Sequence, residues 1–247
     1  MSADRMTEPT AEASPSLQAR LAAVLYLIGG VTFQFAEGFV RGKLVVPGDA
    51  AATAHNILAH QTLYRLGFAA ELIELVTFIT VALLFYNLFR PVNRSVSLLA
   101  AFFSLTGCAL EGVSCIFSLA TLDLLGGAAY LSGFKLENLQ ALALLSLVVR
   151  GQTFNIGMVL FGIYNILLGY LILKSKFLPR VLGLFLAFAG LTYQTFLWPP
   201  LAERLFRYLV APAGGLGELS IVFWLLVFGV NAQRWKEQAL GAGVYPP

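Results

Sequence analysis

Apolar residues gather in six long stretches, at 17–40, 63–89, 97–121, 154–173, 177–198 and 216–230. Each is long enough, or nearly so, to cross a hydrocarbon core roughly 30 Å thick as a helix. The stretches are apolar nearly all round and rich in Leu, Ala and Phe, without the ten-residue alternation of a membrane barrel strand, so the pattern predicts an all-α, polytopic bundle of six transmembrane helices. Turn-forming residues separate the stretches: Pro47 and Gly48, Pro91 before Asn93, Gly126 and Gly127, Pro179, Pro199 and Pro200, and Pro212 with Gly214 and Gly215. A seventh stretch, 136–149, is too short to span and reads as interfacial or re-entrant.

Composition agrees with a lipid-facing chain. Hydrophobic residues make up 58% and charged residues 12%, half the charged share of ordinary soluble domains at about 25%, which excludes a normal water-facing surface. Little chain is left for a soluble domain, so 17–236 reads as a single six-helix domain with a short cytoplasmic tail at 237–247. The first sixteen residues are polar, contain Pro9 and Pro15 and lack a basic start, and are expected to form a disordered cytoplasmic tail before an uncleaved first span.

Six spans place both chain ends on one side. That side collects Arg20, Arg90, Arg94, Lys174, Lys176, Arg180, Arg234 and Lys236 close to span ends, whereas Arg41, Lys43, Lys135, Arg150, Arg204 and Arg207 are spread over longer loops. The denser basic side is expected to be cytoplasmic, in a bacterial inner membrane. Asn93-Arg94-Ser95 matches a glycosylation acceptor but falls on that side and is set aside. In the first outer loop, Asp49 suits an N-cap for a surface helix over 50–60. No internal repeat is visible.

Several passages carry a resemblance: Pro47-Gly48-Asp49 running into Thr53-Ala54-His55-Asn56-Ile57, Arg65-Leu66-Gly67-Phe68, and Leu88-Phe89-Arg90-Pro91-Val92-Asn93. Phe177-Leu178-Pro179-Arg180-Val181-Leu182-Gly183, Gly190-Leu191-Thr192-Tyr193 and Gly217-Glu218-Leu219-Ser220 extend it. Together they resemble the bacterial membrane proteins grouped as the domain of unknown function 4386 family, over nearly the whole chain. The resemblance implies an inner-membrane bundle and brings no activity, catalytic residue or ligand.

The sharpest chemical feature is acid at depth. Glu71 and Glu74 share a face of the second span and Glu111 lies in the third; an unpaired charge there costs about 2.5 to 3.5 kcal/mol on insertion scales, so such groups are normally paired, protonated or functional. These three form the candidate buried polar or ion site. Arg65 points nearly opposite to Glu71, so a partner must come from another span. On the third span Ser104, Gly107, Cys108, Glu111, Ser114, Cys115 and Ser118 recur at three- and four-residue spacing, a small polar stripe expected to face inward. Asn155 and Asn165 on the fourth span join it as supporting polar residues, within a row also holding Met158, Gly162 and Gly169. Gly183, Ala187, Gly190 and Gln194 form a similar seam on the fifth. Glu37 pairs by spacing with Arg41, and Glu218 reads as a carboxylate near the start of the sixth span.

Cys108 and Cys115 lie two helical turns apart and cannot bridge each other. His55 and His60 are about 140° apart around a helix and cannot clamp one metal ion, nucleophile and phosphate-loop motifs are absent, and no nucleic-acid footprint exists. No metal or cofactor is expected. The simplest functional expectation is a non-enzymatic module that binds membrane lipids, a protein partner or a second copy of itself. Transport of a small solute or ion through the buried carboxylates is the alternative, and an intramembrane metal-dependent hydrolase a second one.

Overall fold

In a computed structural model, residues 14–243 are described, and among them no strand occurs. Six helices are long and apolar enough to span a membrane: α1 (Pro15–Leu44), α3 (Gln61–Phe89), α4 (Arg94–Leu125), α5 (Leu136–Lys174), α6 (Arg180–Leu197) and α7 (Pro199–Val227). Two shorter helices, α2 (Ala50–Ala59) and α8 (Ala232–Gly241), lie between or after them. The protein is therefore an all-α, polytopic membrane bundle. Large apolar side chains point outward from every span, among them Val31, Val76, Phe102, Ile156, Leu191 and Phe223, each more than half exposed. In water such a surface would aggregate; in lipid it is the solvated surface.

Local signals set the helix ends. Asn93 caps α4 by accepting from the Val96 amide at 3.0 Å, which gives the apparent glycosylation motif its structural explanation. Asp49 caps α2 in the same way, accepting from Ala52 N at 2.8 Å. The expected disordered tail, 1–16, falls outside the described residues up to position 13, while Ser14 caps α1 and Pro15 occupies its first turn. Ser16 Oγ then donates to Val230 O at 3.2 Å. This ties the start of α1 to the segment after α7 at one end of the bundle, and Trp235 of α8 seals the same end by donating Nε1–H to Leu88 O at 2.8 Å.

Two expectations are corrected. The segment 136–149 is not a separate re-entrant element: it is the first part of α5, a continuous helix of 39 residues and about 58 Å at 1.5 Å per residue. Arg150, Gln152 and Thr153 lower the local hydropathy without breaking the helix, and the charge is neutralised inside the bundle. Likewise Pro212, Gly214 and Gly215 do not separate the sixth span from its approach, because α7 runs from Pro199 through a π-helical segment, Phe206–Val210, into Ala211–Val227. The widened turn precedes Pro212, and Gly214 leaves room for the Tyr193 ring, whose hydroxyl would collide with an added Cβ.

The spans pack mainly through small residues, as lipid-embedded helices do in the absence of a hydrophobic driving force between them. On α5 and α6, Gly169 faces Gly183 and Ala187, and Gly162 faces Gly190; a Cβ at Gly169 would sit 2.6 Å from Gly183 O. On α4 the buried set is Ser97, Ala100, Ser104, Gly107, Ser114, Cys115, Ser118 and Thr121. The three-and-four spacing thus does mark the inward face. A larger apolar core around Phe85, Phe89, Leu168, Ile172, Leu186 and Leu225 fills the end nearer α8.

Candidate functional site

Where the small faces of α1, α3, α4 and α5 meet lies one charged side chain that the sequence pattern assigns to a loop. Arg150 is 2% exposed and reaches acids on three other helices. Its Nη2 donates to Glu37 Oε1 and, at 2.5 Å, to Glu71 Oε1. Glu111 Oε1 lies 3.9 Å from the same nitrogen, and Nε donates to Ser118 Oγ at 2.9 Å. A planar guanidinium suits this task because its five donors fan outward in fixed directions.

The sequence features around it follow from this geometry. An eight-residue π-helical segment, Gln34–Arg41, turns α1 so that Ala36 and Val40 are buried while Glu37 and Arg41 flank the cluster. Such bulges recur at functional sites. Arg41 lies 3.9 Å from Glu37 and donates to Leu147 O at 3.3 Å, so the expected i,i+4 pair is present within a larger network. Arg41 and Arg150 are therefore not loop residues. Ser114 Oγ donates to Glu111 Oε1 at 3.2 Å, and Ser118 and Cys115 each approach Glu71 Oε2 at 3.5 Å. Both cysteines are free thiols. Beside the cluster a cleft of about 20 Å³ is lined by Tyr64, Glu71, Ser118, Arg41 and Arg150. The cleft is the size of one water site, and the Nη1 atoms of both arginines are buried without a hydrogen-bond partner.

On the other side of Glu111 the bundle opens into a chamber of about 120 Å³. Three carboxylates reach its wall, Glu74, Glu111 and Glu218, with Cys108 beside them; the remainder is chiefly aromatic, including Phe33, Phe78, Phe154, Phe161 and Tyr193. Gly30, Gly107 and Gly157 line it too, and their missing side chains are part of why the space is open. Glu218 accepts from Tyr193 Oη at 2.7 Å and from Asn165 Nδ2 at 3.1 Å. It lies well inside α7, not at a helix start.

The predicted residues thus divide. Glu71 and Glu111 meet at Arg150, and Glu74 and Glu111 share the chamber, so the pair on α3 serves two adjacent spaces. Cys108 borders the chamber, Ser114 holds Glu111, Asn165 holds Glu218, and Ser104 is buried on the inward face of α4. Asn155 is half-buried and lines neither space. His60 is exposed at the α2–α3 junction, its Nδ1 3.1 Å from Asn56 O, far from convergence with the acids. Sequence reasoning missed Arg150, Glu37 and Glu218 as members of the site. Three deep acids with no basic residue on the same face of their own helices were the signal that a buried cation stood elsewhere.

The fold and this interior define a class, a six-span integral membrane bundle organised round a buried arginine–carboxylate network. The chain belongs to the family described as Domain of unknown function (DUF4386), whose model matches residues 21–229. An uncharacterised protein of Archaeoglobus fulgidus (strain ATCC 49558 / DSM 4304 / JCM 9628 / NBRC 100126 / VC-16) is 27% identical over 151 residues, 61% of this chain and 76% of that relative. No solved structure matches the chain.

Proposed function

We propose that this protein is a non-enzymatic membrane module that holds a small solute in the chamber between α1, α3, α4, α5, α6 and α7. The supporting observation is the meeting of Glu74, Glu111 and Glu218, from three helices, on one aromatic-walled space. Ligand sites are typically concave, mostly apolar and fitted with a few convergent polar groups, and this interior has that character. Native mass spectrometry of the gently extracted protein tests the reading. A small-molecule adduct on the wild type that is absent from Gly30→Leu is expected, since Gly30 lines the chamber and a Cβ there meets nothing within 4 Å. Identical adduct-free spectra for both would count against it.

Transport of a solute or ion is the second reading. It is favoured by the path from the chamber through Glu111 to Arg150, 3.9 Å away, and on to the 20 Å³ cleft that Arg150 also lines. In liposomes carrying a pH gradient, proton or small-cation flux lost in Glu111→Gln would support it; no flux in the wild type would favour simple binding.

For location we propose a bacterial cytoplasmic membrane with both termini inside. Lys174, Lys176, Arg180 and Arg234 rim a groove at the end of the bundle that holds α8, and each basic residue next to a span end attracts anionic headgroups by about 1 kcal/mol. Anionic lipid is accordingly the proposed partner of that rim. Labelling of single cysteines placed in the α8 tail, in intact cells against lysed ones, tests the orientation.

A further inference from the structure

We propose that the chamber takes a small alkylammonium ion, with Glu74 as its counter-charge. This rests on the solute-binding reading and names its ligand class.

The three chamber acids are not equivalent. Glu218 is held by Tyr193 and Asn165, and Glu111 is held by Ser114 with Arg150 at 3.9 Å. Glu74 carries no side-chain hydrogen bond or ion pair among the described residues. No Lys, Arg or His lines the space with it. A carboxylate withdrawn from solvent without a partner is an uncompensated cost, and a cation entering the chamber would offset it.

Features other than the acids call for an occupant of a particular kind. The aromatic wall is made of two packed groups: Phe33 stacks on Phe154 at 5.9 Å, while Phe78 meets Phe161 edge-on at 5.5 Å and Phe161 stacks on Tyr193 at 6.4 Å. Ring faces attract cations, most effectively when both are desolvated. Behind this wall the Tyr164 hydroxyl is unpartnered although the residue is only 2% exposed.

Size and spacing then select the cation. The 120 Å³ volume is a little below the roughly 150 Å³ of an apolar cavity that takes benzene, so it suits a body of about five non-hydrogen atoms. Among the described residues no three carboxylate, thiol or imidazole groups are close enough to hold one metal ion. Dispersed acids on an apolar wall fit a polyatomic cation better than a compact, strongly hydrated one. Gly30, Glu74, Gly107 and Gly157 sit near the midpoints of Pro15–Leu44, Gln61–Phe89, Arg94–Leu125 and Leu136–Lys174, far from headgroup depth. A free amine, rather than a lipid ammonium headgroup, matches that position.

Thermal unfolding of the full chain in an uncharged maltoside detergent, titrated with tert-butylammonium, its neutral isostere tert-butanol, or potassium, tests this. Stabilisation by a ligand reports its Kd. The wild type should bind tert-butylammonium at least about tenfold more tightly than tert-butanol, equivalent to about 1.4 kcal/mol, and show no comparable response to potassium. Glu74→Gln should erase that preference while keeping tert-butanol binding, which also shows that the variant is folded; Gly30→Leu should exclude both organic molecules. Equal affinity for the isosteres, an equal response to potassium, or a preference that survives Glu74→Gln would overturn the ligand class. If tert-butanol binds and tert-butylammonium does not, the ligand class fails and the binding chamber stands. If neither binds, both readings fail.

Discussion

Arg150 Nη2 and Glu71 Oε1 are 2.5 Å apart although 79 residues separate them in the chain. The contact joins the second span to the fourth between two buried side chains, so its value lies in what happens when one member is removed. Breaking a buried charge pair by deleting one side typically costs about 3 to 5 kcal/mol, because the partner is left uncompensated.

Arg150→Met should therefore destabilise the bundle by at least that amount, stranding Glu37, Glu71 and Glu111 together. Adding Glu37→Gln and Glu71→Gln to Arg150→Met should recover much of the loss, since matched neutral groups remove the penalty. Unfolding in a denaturing detergent reports both, and additive losses across the three changes would show that the network is not a unit.

Glu71→Gln should cost more than Glu111→Gln. Glu71 makes a direct bond to Arg150, whereas Glu111 stands at 3.9 Å and is held by Ser114. The difference is expected to be about 1.5 to 3 kcal/mol, on the scale of one charge-assisted hydrogen bond. Paired unfolding curves of the two variants settle the order.

The glycine seam makes a separate prediction. Gly169→Ala forces a Cβ to within 2.6 Å of the Gly183 carbonyl oxygen and 2.8 Å of the Ala187 Cβ, and backbone cannot yield as a flexible side chain can. A loss of about 1 to 3 kcal/mol follows from such overpacking. Gly30→Ala, with nothing within 4 Å, should be neutral or slightly stabilising through helix propensity. Melting midpoints of the two variants, measured side by side, check the contrast.

At the basic rim, replacing Lys174, Lys176, Arg180 and Arg234 together with Gln should abolish the preference for anionic over zwitterionic lipid. At about 1 kcal/mol each near the surface, four charges amount to a large change, and added salt should weaken the wild-type preference toward the variant's. Retention of labelled anionic lipid through purification measures it.

How much of this was legible in the chain depends on distance along it. The inward stripe of α4 could be read because Ser104, Gly107, Ser114, Cys115 and Ser118 lie on a single helix whose period is known. The glycine rows on α5 and α6 were legible for the same reason. Arg150 was not, because its partners Glu37 and Glu71 lie 113 and 79 residues away; a sliding hydropathy reading sees only a polar dip after a short apolar run and assigns a loop. Glu218 was misread for a related reason. Pro212 and two glycines suggest a break, and only the π-helical segment before them and the packing of Gly214 against Tyr193 make that stretch helical.

The length of α5 has a mechanical consequence. One unbroken rod carries Arg150 in the charge cluster, Gly157 in the chamber wall, Gly162 and Gly169 locked against α6, and Lys174 at the basic rim. From Arg150 to Lys174 is about 36 Å at helical rise, with no proline in between to absorb a bend. Tilting this lever at the basic rim has to move the arginine end, so the Lys174 end of the rod and the ion pairs deep in the bundle are joined by a stiff strut.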